Sequence, residues 1–517
     1  MKRRTFIKRG LLASGSVLVL GDLEGTRVLA QDASGTPKQG GTLTWGHSET
    51  TQNVDIHQTG TASTLRLLQN VHEPLLTIDD HFHVQPNLAA SWERSQDWLT
   101  YTFHLRNDVV FHNGKKLTAA DVKYSFERIK DPKTSAVSFD VFEDVAAIDA
   151  VDDHTVRVTM SKVYSPFEAR ITYLNCAIIP QGSGDTQGKQ PIGAGAFEFV
   201  QREFGNFTRL KRFDNYFRGP AYLDEIVERE VTEATVRLTG VQTGQMTLIN
   251  DIPLDRIAQV EKSPNLQVKT WHPLSWAFLN FNHKVPPFDD PDVRKAFDLM
   301  IDKQALVQGA LWGQGVPTPT PSFPNSPYRN NDLEVRKQDL NQAKALLQKA
   351  GVRPASLSIK FKVTTNYPWH VQAAQIMQAW FQQAGVNVSL EQLTWSDWLS
   401  QVWKDKNFSL TMVNFFTLWE PDFLYYNIWH TGGSFNFRNI SDATLDGYLD
   451  QARQSTSEDQ RVTLYREAQQ RIFDQAHDVI LWYRNGSLAA VPALRGIDTI
   501  VQPNGSNLAF WRTWLAT

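Results

Sequence analysis

The most regular stretch of the chain alternates without a break over residues 99–106. Leu99, Tyr101, Phe103 and Leu105 fall on one side, and Thr100, Thr102, His104 and Arg106 on the other. Successive side chains of a strand point to opposite faces, so this pattern predicts a half-buried strand. Asn113-Gly114 marks a turn. Thr118-Ala119-Ala120-Asp121 then has the layout of a capping box, opening a helix that buries Val122, Phe126 and Ile129. Residues 42–45 and 155–160 read as further strands, and residues 31–40, with Gly35, Pro37 and Gly40, as a flexible start. The first half is therefore mixed and rich in strands.

Beyond about residue 275 the rhythm changes. Asp339 caps a helix carrying Leu340, Ala343, Leu347 and Ala350, which Gly351 stops. A strand over 357–363 follows, then a helix over about 369–384 stopped by Gly385, and a strand over 386–390. A helix over 396–403 and a strand over 408–413 complete the series. Helices alternating with short strands predict an α/β domain with a largely parallel sheet. Two parts of different rhythm in one chain predict a cleft between them, a common place for ligands.

Composition narrows the class. A chain of 517 residues with 41% hydrophobic and 21% charged residues has a sizeable core and a length that suggests roughly two to four domains. Lys+Arg 52 against Asp+Glu 55 leaves no basic excess, so neither a nucleic acid nor an anionic membrane is an expected partner. The single cysteine, Cys176, sits in an apolar run and reads as a buried small hydrophobe. It excludes an internal disulfide and a Cys-based zinc site.

Lys2-Arg3-Arg4-Thr5-Phe6-Ile7-Lys8-Arg9, a short apolar stretch over 11–20 and Val28-Leu29-Ala30 make residues 1–30 a signal peptide. The paired arginines resemble the twin-arginine export signal, with Lys2 where Ser or Thr is usual, so the Sec route stays open. The apolar stretch is too short to span a bilayer, and no Cys follows it to carry a lipid. The expected product is an exported, soluble, periplasmic monomer.

Enzyme signatures fail one by one. His72-Glu73-Pro74-Leu75-Leu76 lacks the second histidine of a zinc protease, and Pro74 would break the helix. Residues 184–190 lack the first glycine and the Ser/Thr of a phosphate loop, and no GxSxG elbow occurs. His47, His57, His72, His81, His83, His104 and His112 crowd the first quarter, but turns and polar strand faces account for them. No catalytic residue, metal ligand or cofactor is expected, and a hydrolase is the rival reading. Aromatic residues are the better signal: Trp369, Trp380, Trp395, Trp398, Trp403, Trp419 and Trp429 share one stretch. Trp380 lies on an apolar helix face. The run over 414–422 leaves a strand end, where α/β sheets bind ligands, and Trp419 there offers a stacking face and one N–H.

Several segments occur in a fixed order: Leu88-Ala89-Ala90-Ser91-Trp92-Glu93, Phe111-His112-Asn113-Gly114, Leu117-Thr118-Ala119-Ala120-Asp121-Val122, Asp214-Asn215-Tyr216-Phe217-Arg218-Gly219-Pro220, Leu279-Asn280-Phe281-Asn282 and Ser434-Phe435-Asn436. Together they resemble the family 5 extracellular solute-binding proteins of ABC importers, which include oligopeptide, dipeptide, nickel and opine binders. The resemblance implies an α/β, two-lobed periplasmic-binding-protein fold, large and type II-like, with an extra subdomain in lobe one. Residues 31–275 would form lobe one, with the subdomain at about 87–190. Residues 276–484 would form lobe two, and 485–517 would return to lobe one. Crossings near 272–282 and 480–488 would form the hinge.

The implied function is capture of a peptide or peptide-like solute and delivery to the permease subunits of an ABC importer. An opine, a nickel chelate or an oligosaccharide are the alternative ligands. Two departures from the family pattern stand out. Peptide binders of the family place an Asp shortly before an Asp-Pro pair to hold the ligand's amino group. Here Thr417 and Glu420-Pro421 stand instead. The family's Pro-x-Gly-Thr-Gly-Pro is altered to Pro191-Ile192-Gly193-Ala194-Gly195-Ala196.

The expected ligand contacts are Phe415, Thr417, Trp419, Glu420 and Asp422 from one side of the cleft, with Glu420 or Asp422 meeting a ligand cation. They would face His47 and Asp55 around the loop 47–55. Trp395 and Asn436 would add to them.

Overall fold

Strand Thr42–His47 pairs in parallel with Glu225–Glu230 and with Leu248–Asn250, which places the first strand of the chain in the middle of one half of a large sheet. The computed structural model describes residues 36–516, apart from 52, 417–418 and 505–506, so the leader over 1–30 and Thr417 lie outside the described residues. The sheet has eleven strands. From one edge the order is Asn387–Leu393, Ser358–Thr364, Leu410–Phe416, Gln267–Phe281, Asp478–Ala490, Leu248–Asn250, Thr42–His47, Glu225–Glu230, Phe207–Arg212 and Phe197–Glu203, and Gly315–Pro317 adds to the side of Asp478–Ala490.

Two long strands carry the sheet from one half to the other. Gln267–Phe281 and Asp478–Ala490 run antiparallel from Gln267 opposite Ala490 to Asn280 opposite Asp478. Their register breaks between Trp271 and Ser275 and again between Ala277 and Phe278. Such bulges bend and twist a strand pair locally. On one side of the first break the strands pack into a core of Leu43, Trp45, Leu210, Ile226, Leu248 and Leu488. On the other they pack into two cores, one around Leu279, Phe297, Phe361 and Met377 and one around Trp276, Phe278, Trp429 and Tyr465.

A separate four-stranded antiparallel sheet lies within the first half, in the order Ala89–Arg94, Thr100–Leu105, Thr155–Met160, Val145–Asp152. The alternation predicted over 99–106 appears here: Tyr101, Phe103 and Leu105 are buried, and the residues between them are not. Helix Ala119–Lys130 covers this sheet with Val122, Phe126 and Ile129, and Asp121 accepts hydrogen bonds from the Thr118 backbone (2.9 Å) and hydroxyl (2.8 Å). Cys176 belongs to the same core, where burial pushes its thiol up to about 12 and leaves it unreactive.

In the second half, helices Leu340–Lys349 and Pro368–Gln383 end before Gly351 and Gly385, whose φ values of 72° and 90° favour glycine. Trp380 is half-buried against the core. Around Ser358–Thr364 the strands are parallel, as the alternation of helix and strand predicts, whereas most other pairs of the sheet are antiparallel. The altered glycine motif also has a structural use. A Cβ at Gly193 would meet the Val71 carbonyl oxygen at 2.1 Å, and one at Gly195 the Asn70 carbonyl oxygen at 2.6 Å. Only glycine permits that approach of two backbones.

Candidate functional site

A cavity of about 1050 Å³ lies where the two halves of the sheet face one another across the long strands. One wall comes from the first half, from residues 48–50 after Thr42–His47, 60–63, 232–234, Arg237 and 251–255. The other comes from the second half, chiefly Tyr367, Trp369, Trp395, Trp398, Trp403 and Phe415, and Arg484 reaches in from the strand Asp478–Ala490.

The second wall is aromatic because of local geometry. Thr394 caps a short helix, Trp395–Trp398, by accepting from the Asp397 N–H at 3.2 Å. The chain then widens into a π-helical turn over Leu399–Lys404 where a regular helix over 396–403 was predicted. Wider turns of this kind often occur at functional sites. Trp395 and Trp398 stack face to face at 5.2 Å and 4°, and the Trp398 indole N–H is anchored to Thr411 at 2.9 Å. Trp395 is still 39% exposed, and Leu399 and Trp312 of the same wall are 38% and 46% exposed. Exposed apolar surface gathered in a concavity marks a binding site better than the same residues scattered singly.

The floor is charged. Asp251 sits just past the strand Leu248–Asn250 with φ 54°, an uncommon backbone for a residue with a side chain. Its carboxylate accepts from Ser48 Oγ (2.8 Å), Asn250 Nδ2 (2.7 Å) and Arg66 Nη1 (3.2 Å), and more distantly from Arg484 Nη2 (3.5 Å). Burial alone would raise this carboxyl, but Arg66 and Arg484 outweigh it and hold it well below the usual carboxylate range. The Arg66 guanidinium also lies 6.0 Å from the Phe416 ring of the opposite wall.

Beside the cavity the two halves touch through a second cluster. Tyr164 donates to Asp422 at 2.9 Å and accepts from Arg170 at 3.1 Å. The Ser165 N–H donates to the Arg453 carbonyl at 2.8 Å. Arg453 pairs with Asp422 at 2.8 Å, and the Arg170 guanidinium lies 4.7 Å from the Phe423 ring. Phe82, at the tip of the hairpin Leu76–Ile78/Val84–Pro86, stacks on Trp419 at 6.3 Å and 2°.

Of the residues expected from the sequence, Trp395 and Phe415 line the cavity and the others described do not. His47 is buried with Nδ1 2.8 Å from Glu228 and its ring stacked on Trp45 at 4.4 Å. The loop that follows it does line the wall, through Ser48, Glu49 and Thr50. Asp55 is held by Arg128 at 2.6 Å and accepts from the His57 N–H. Trp419 is buried between Phe82 and Tyr173.

Glu420 caps the helix Pro421–Trp429 and pairs with Arg461 at 3.0 Å. Burial and the neighbouring Asp422 push its carboxyl up to about 7. Asp422 serves Tyr164, Arg170 and Arg453. Asn436 is engaged with the backbone of His430 and Ile440. Each of these side chains is already matched inside the fold, which is why none turns to the cavity.

The cavity is also lined by Asp251, Tyr367, Trp312 and Arg484, which the sequence reading did not single out, and by Glu49, which lies within the loop 47–55 that it placed there. Arg484 carries the one signal available beforehand, a lone charge closing the apolar run Val479-Ile480-Leu481-Trp482-Tyr483. Among the described residues no group of three or more His, Cys, Asp or Glu is placed to hold a metal ion, and no helix is long and apolar enough to cross a membrane.

Comparison with known proteins agrees with this architecture. Residues 83–436 match the family described as bacterial extracellular solute-binding proteins, family 5 middle. Heme-binding protein A of Haemophilus influenzae is 28% identical over 451 residues, covering 80% of this chain and 81% of the relative. The dipeptide-binding protein of Escherichia coli is 27% identical, covering 77% and 80%. The solved structure of an ABC transporter substrate binding protein, CtaP from Listeria monocytogenes, superposes with a TM-score of 0.85 at 24% identity, covering 93% of this chain and 100% of that one. The fold is thus the two-lobed periplasmic-binding-protein fold. With a match across most of its length, a cavity between the two halves of its sheet and paired long strands joining them, the chain belongs to the bacterial extracellular solute-binding proteins of family 5.

Proposed function

We propose that the protein is exported by its N-terminal signal over 1–30, captures a peptide or peptide-like solute in the cavity and presents it to the permease of an ABC importer. In this reading residues 31–275 with 485–517 form one lobe, with the subdomain at about 87–190, and 276–484 form the other. The strands Gln267–Phe281 and Asp478–Ala490 act as the hinge, and their register break beside Trp271 is where bending is easiest. The protein acts as a monomer in the periplasm and carries out no chemistry on its solute.

The observation that carries the reading is the cavity itself, about 1050 Å³ with Trp395, Leu399 and Trp312 partly exposed in its wall. The volume suits a small peptide-like molecule, and the flat rings give affinity that tolerates variation in the solute. The relatives include proteins named for dipeptide and glutathione binding, which favours this class over a sugar.

Thermal-shift screening of the purified mature chain tests the reading. A solute that binds only the folded protein stabilises it by about 2.7 kcal/mol at a hundredfold excess over Kd. Peptides or glutathione are expected to raise the melting temperature, and Trp395→Ala to weaken that binding by about 1–3 kcal/mol. A shift given by sugars alone, or one indifferent to Trp395→Ala, would overturn the assignment. Turnover of a peptide library by the purified protein would overturn the non-enzymatic part.

A further inference from the structure

We infer that the cavity recognises a zwitterionic, amino-acid-like head group, with the ammonium held by Glu49 and the carboxylate by Arg484, while the body of the solute lies on the Trp395 face. The inference rests on the cavity being the solute site. It replaces the loop over 417–422 as the place where a ligand's amino group is met.

Glu49 lines the first wall, is half-buried and has no hydrogen-bond or ion-pair partner among the described residues. A carboxylate withdrawn from water without a partner is costly, and a cation entering the cavity removes that cost. Glu420 and Asp422, the carboxylates suggested by the family pattern, are saturated by Arg461, Arg453, Arg170 and Tyr164 and cannot do this.

Arg484 is the complementary case. Its side chain is 13% exposed, and its guanidinium reaches Asp251 only at 3.5 Å and has a buried Nε with no partner among the described residues. Asp251 spends its short contacts on Ser48, Asn250 and Arg66, so Arg484 keeps donors in reserve. Arg237, the other cation of the wall, feels the Glu49 charge and also has a buried Nε without a partner among the described residues, but both of its terminal nitrogens already donate to the Val231, Thr232 and Asp251 carbonyls. A guanidinium fork with free N–H groups matches a carboxylate in two parallel hydrogen bonds.

Tyr367, stacked on Trp369 at 5.3 Å, feels both charges: burial and then Glu49 raise its hydroxyl, while Arg484 acts in the opposite sense. Glu49, Tyr367 and Arg484 all line the same cavity. A purely anionic solute would leave Glu49 unmatched and be repelled by it, and a purely cationic one would face Arg484. The pair selects a molecule carrying both signs.

Isothermal titration of the mature chain with the dipeptide Ala-Phe, its N-acetyl form, its C-terminal amide and glutathione tests this. The free dipeptide and glutathione are expected to bind about tenfold or more tightly than either blocked form, the scale of losing one charge-assisted partner. Glu49→Gln should erase the preference over the N-acetyl form and leave the preference over the amide. Arg484→Gln should do the reverse, and Arg484→Lys, which keeps the charge beside Asp251, should fall between. Equal binding of free and blocked dipeptide, or one variant erasing both preferences, overturns the inference. If haem or maltotriose binds in a Trp395-dependent way and no dipeptide does, the head-group inference falls and the solute-site reading stands. If no binding depends on Trp395, both fall.

Discussion

Tyr164→Phe separates closure of the two halves from contact with the solute. The Tyr164 hydroxyl is buried between them, donating to Asp422 at 2.9 Å and accepting from Arg170 at 3.1 Å, and it does not line the cavity. Removing that one oxygen deletes a hydrogen bond to a charged group, which contributes about 1.5–3 kcal/mol. The Ser165–Arg453 and Phe82–Trp419 contacts remain, so the halves keep their other fasteners. The expected result is a shift of the open–closed equilibrium toward open by about tenfold to a hundredfold. If the solute binds the closed form, its apparent Kd rises by the same factor wherever the unliganded protein is mostly open.

Cys176 is the only cysteine and is buried, so spin labels at Phe204→Cys and Lys344→Cys, both exposed positions in opposite halves, report the separation by electron–electron resonance. The reasoning is refuted if the distance distribution and the Kd both stay unchanged while only the melting temperature falls. Tyr164 would then be an ordinary core hydrogen bond.

Other expectations follow from the same cluster and its surroundings. Trp419→Ala removes one of the two rings against Phe82, the other being Phe323 at 5.0 Å, so it should open the halves no more than Phe82→Ala does; a loss of solute affinity larger than that of Phe82→Ala would instead place Trp419 on the ligand. Glu420, with its carboxyl raised to about 7 by burial and by Asp422, favours the folded state when protonated. Its contribution is complete below about pH 4.5 and lost as pH rises through 7. Urea unfolding at pH 5 and pH 8 should therefore show the wild type losing ground to Glu420→Gln as pH rises, and a gap that widens in favour of the wild type would contradict this. Gly195→Ala forces a methyl group against the Asn70 and Val71 carbonyls and should destabilise the fold by about 1–3 kcal/mol, read as a lower denaturation midpoint at unchanged slope.

The elements were legible in the sequence wherever one face is buried and the other wet. The alternation over 99–106, the capping box at Thr118 and the glycine stops at 351 and 385 all appear where the pattern places them. Their causes are local: the pleat of a strand, the orphan N–H groups of a helix start and the freedom of glycine. The tryptophan-rich stretch supplies much of one wall of the cavity, Trp395 and Phe415 included. Which polar residues face the cavity was not local. Glu420 and Asp422 look free in the sequence and are neutralised by Arg461, Arg453 and Arg170, the last more than 200 residues away. Glu49 and Asp251 carry no motif, and they meet the cavity because Thr42–His47 and Leu248–Asn250 lie side by side and end on the same edge. Pattern sets which face of an element is buried, but only packing decides which charges find partners within the protein and which are left for a ligand.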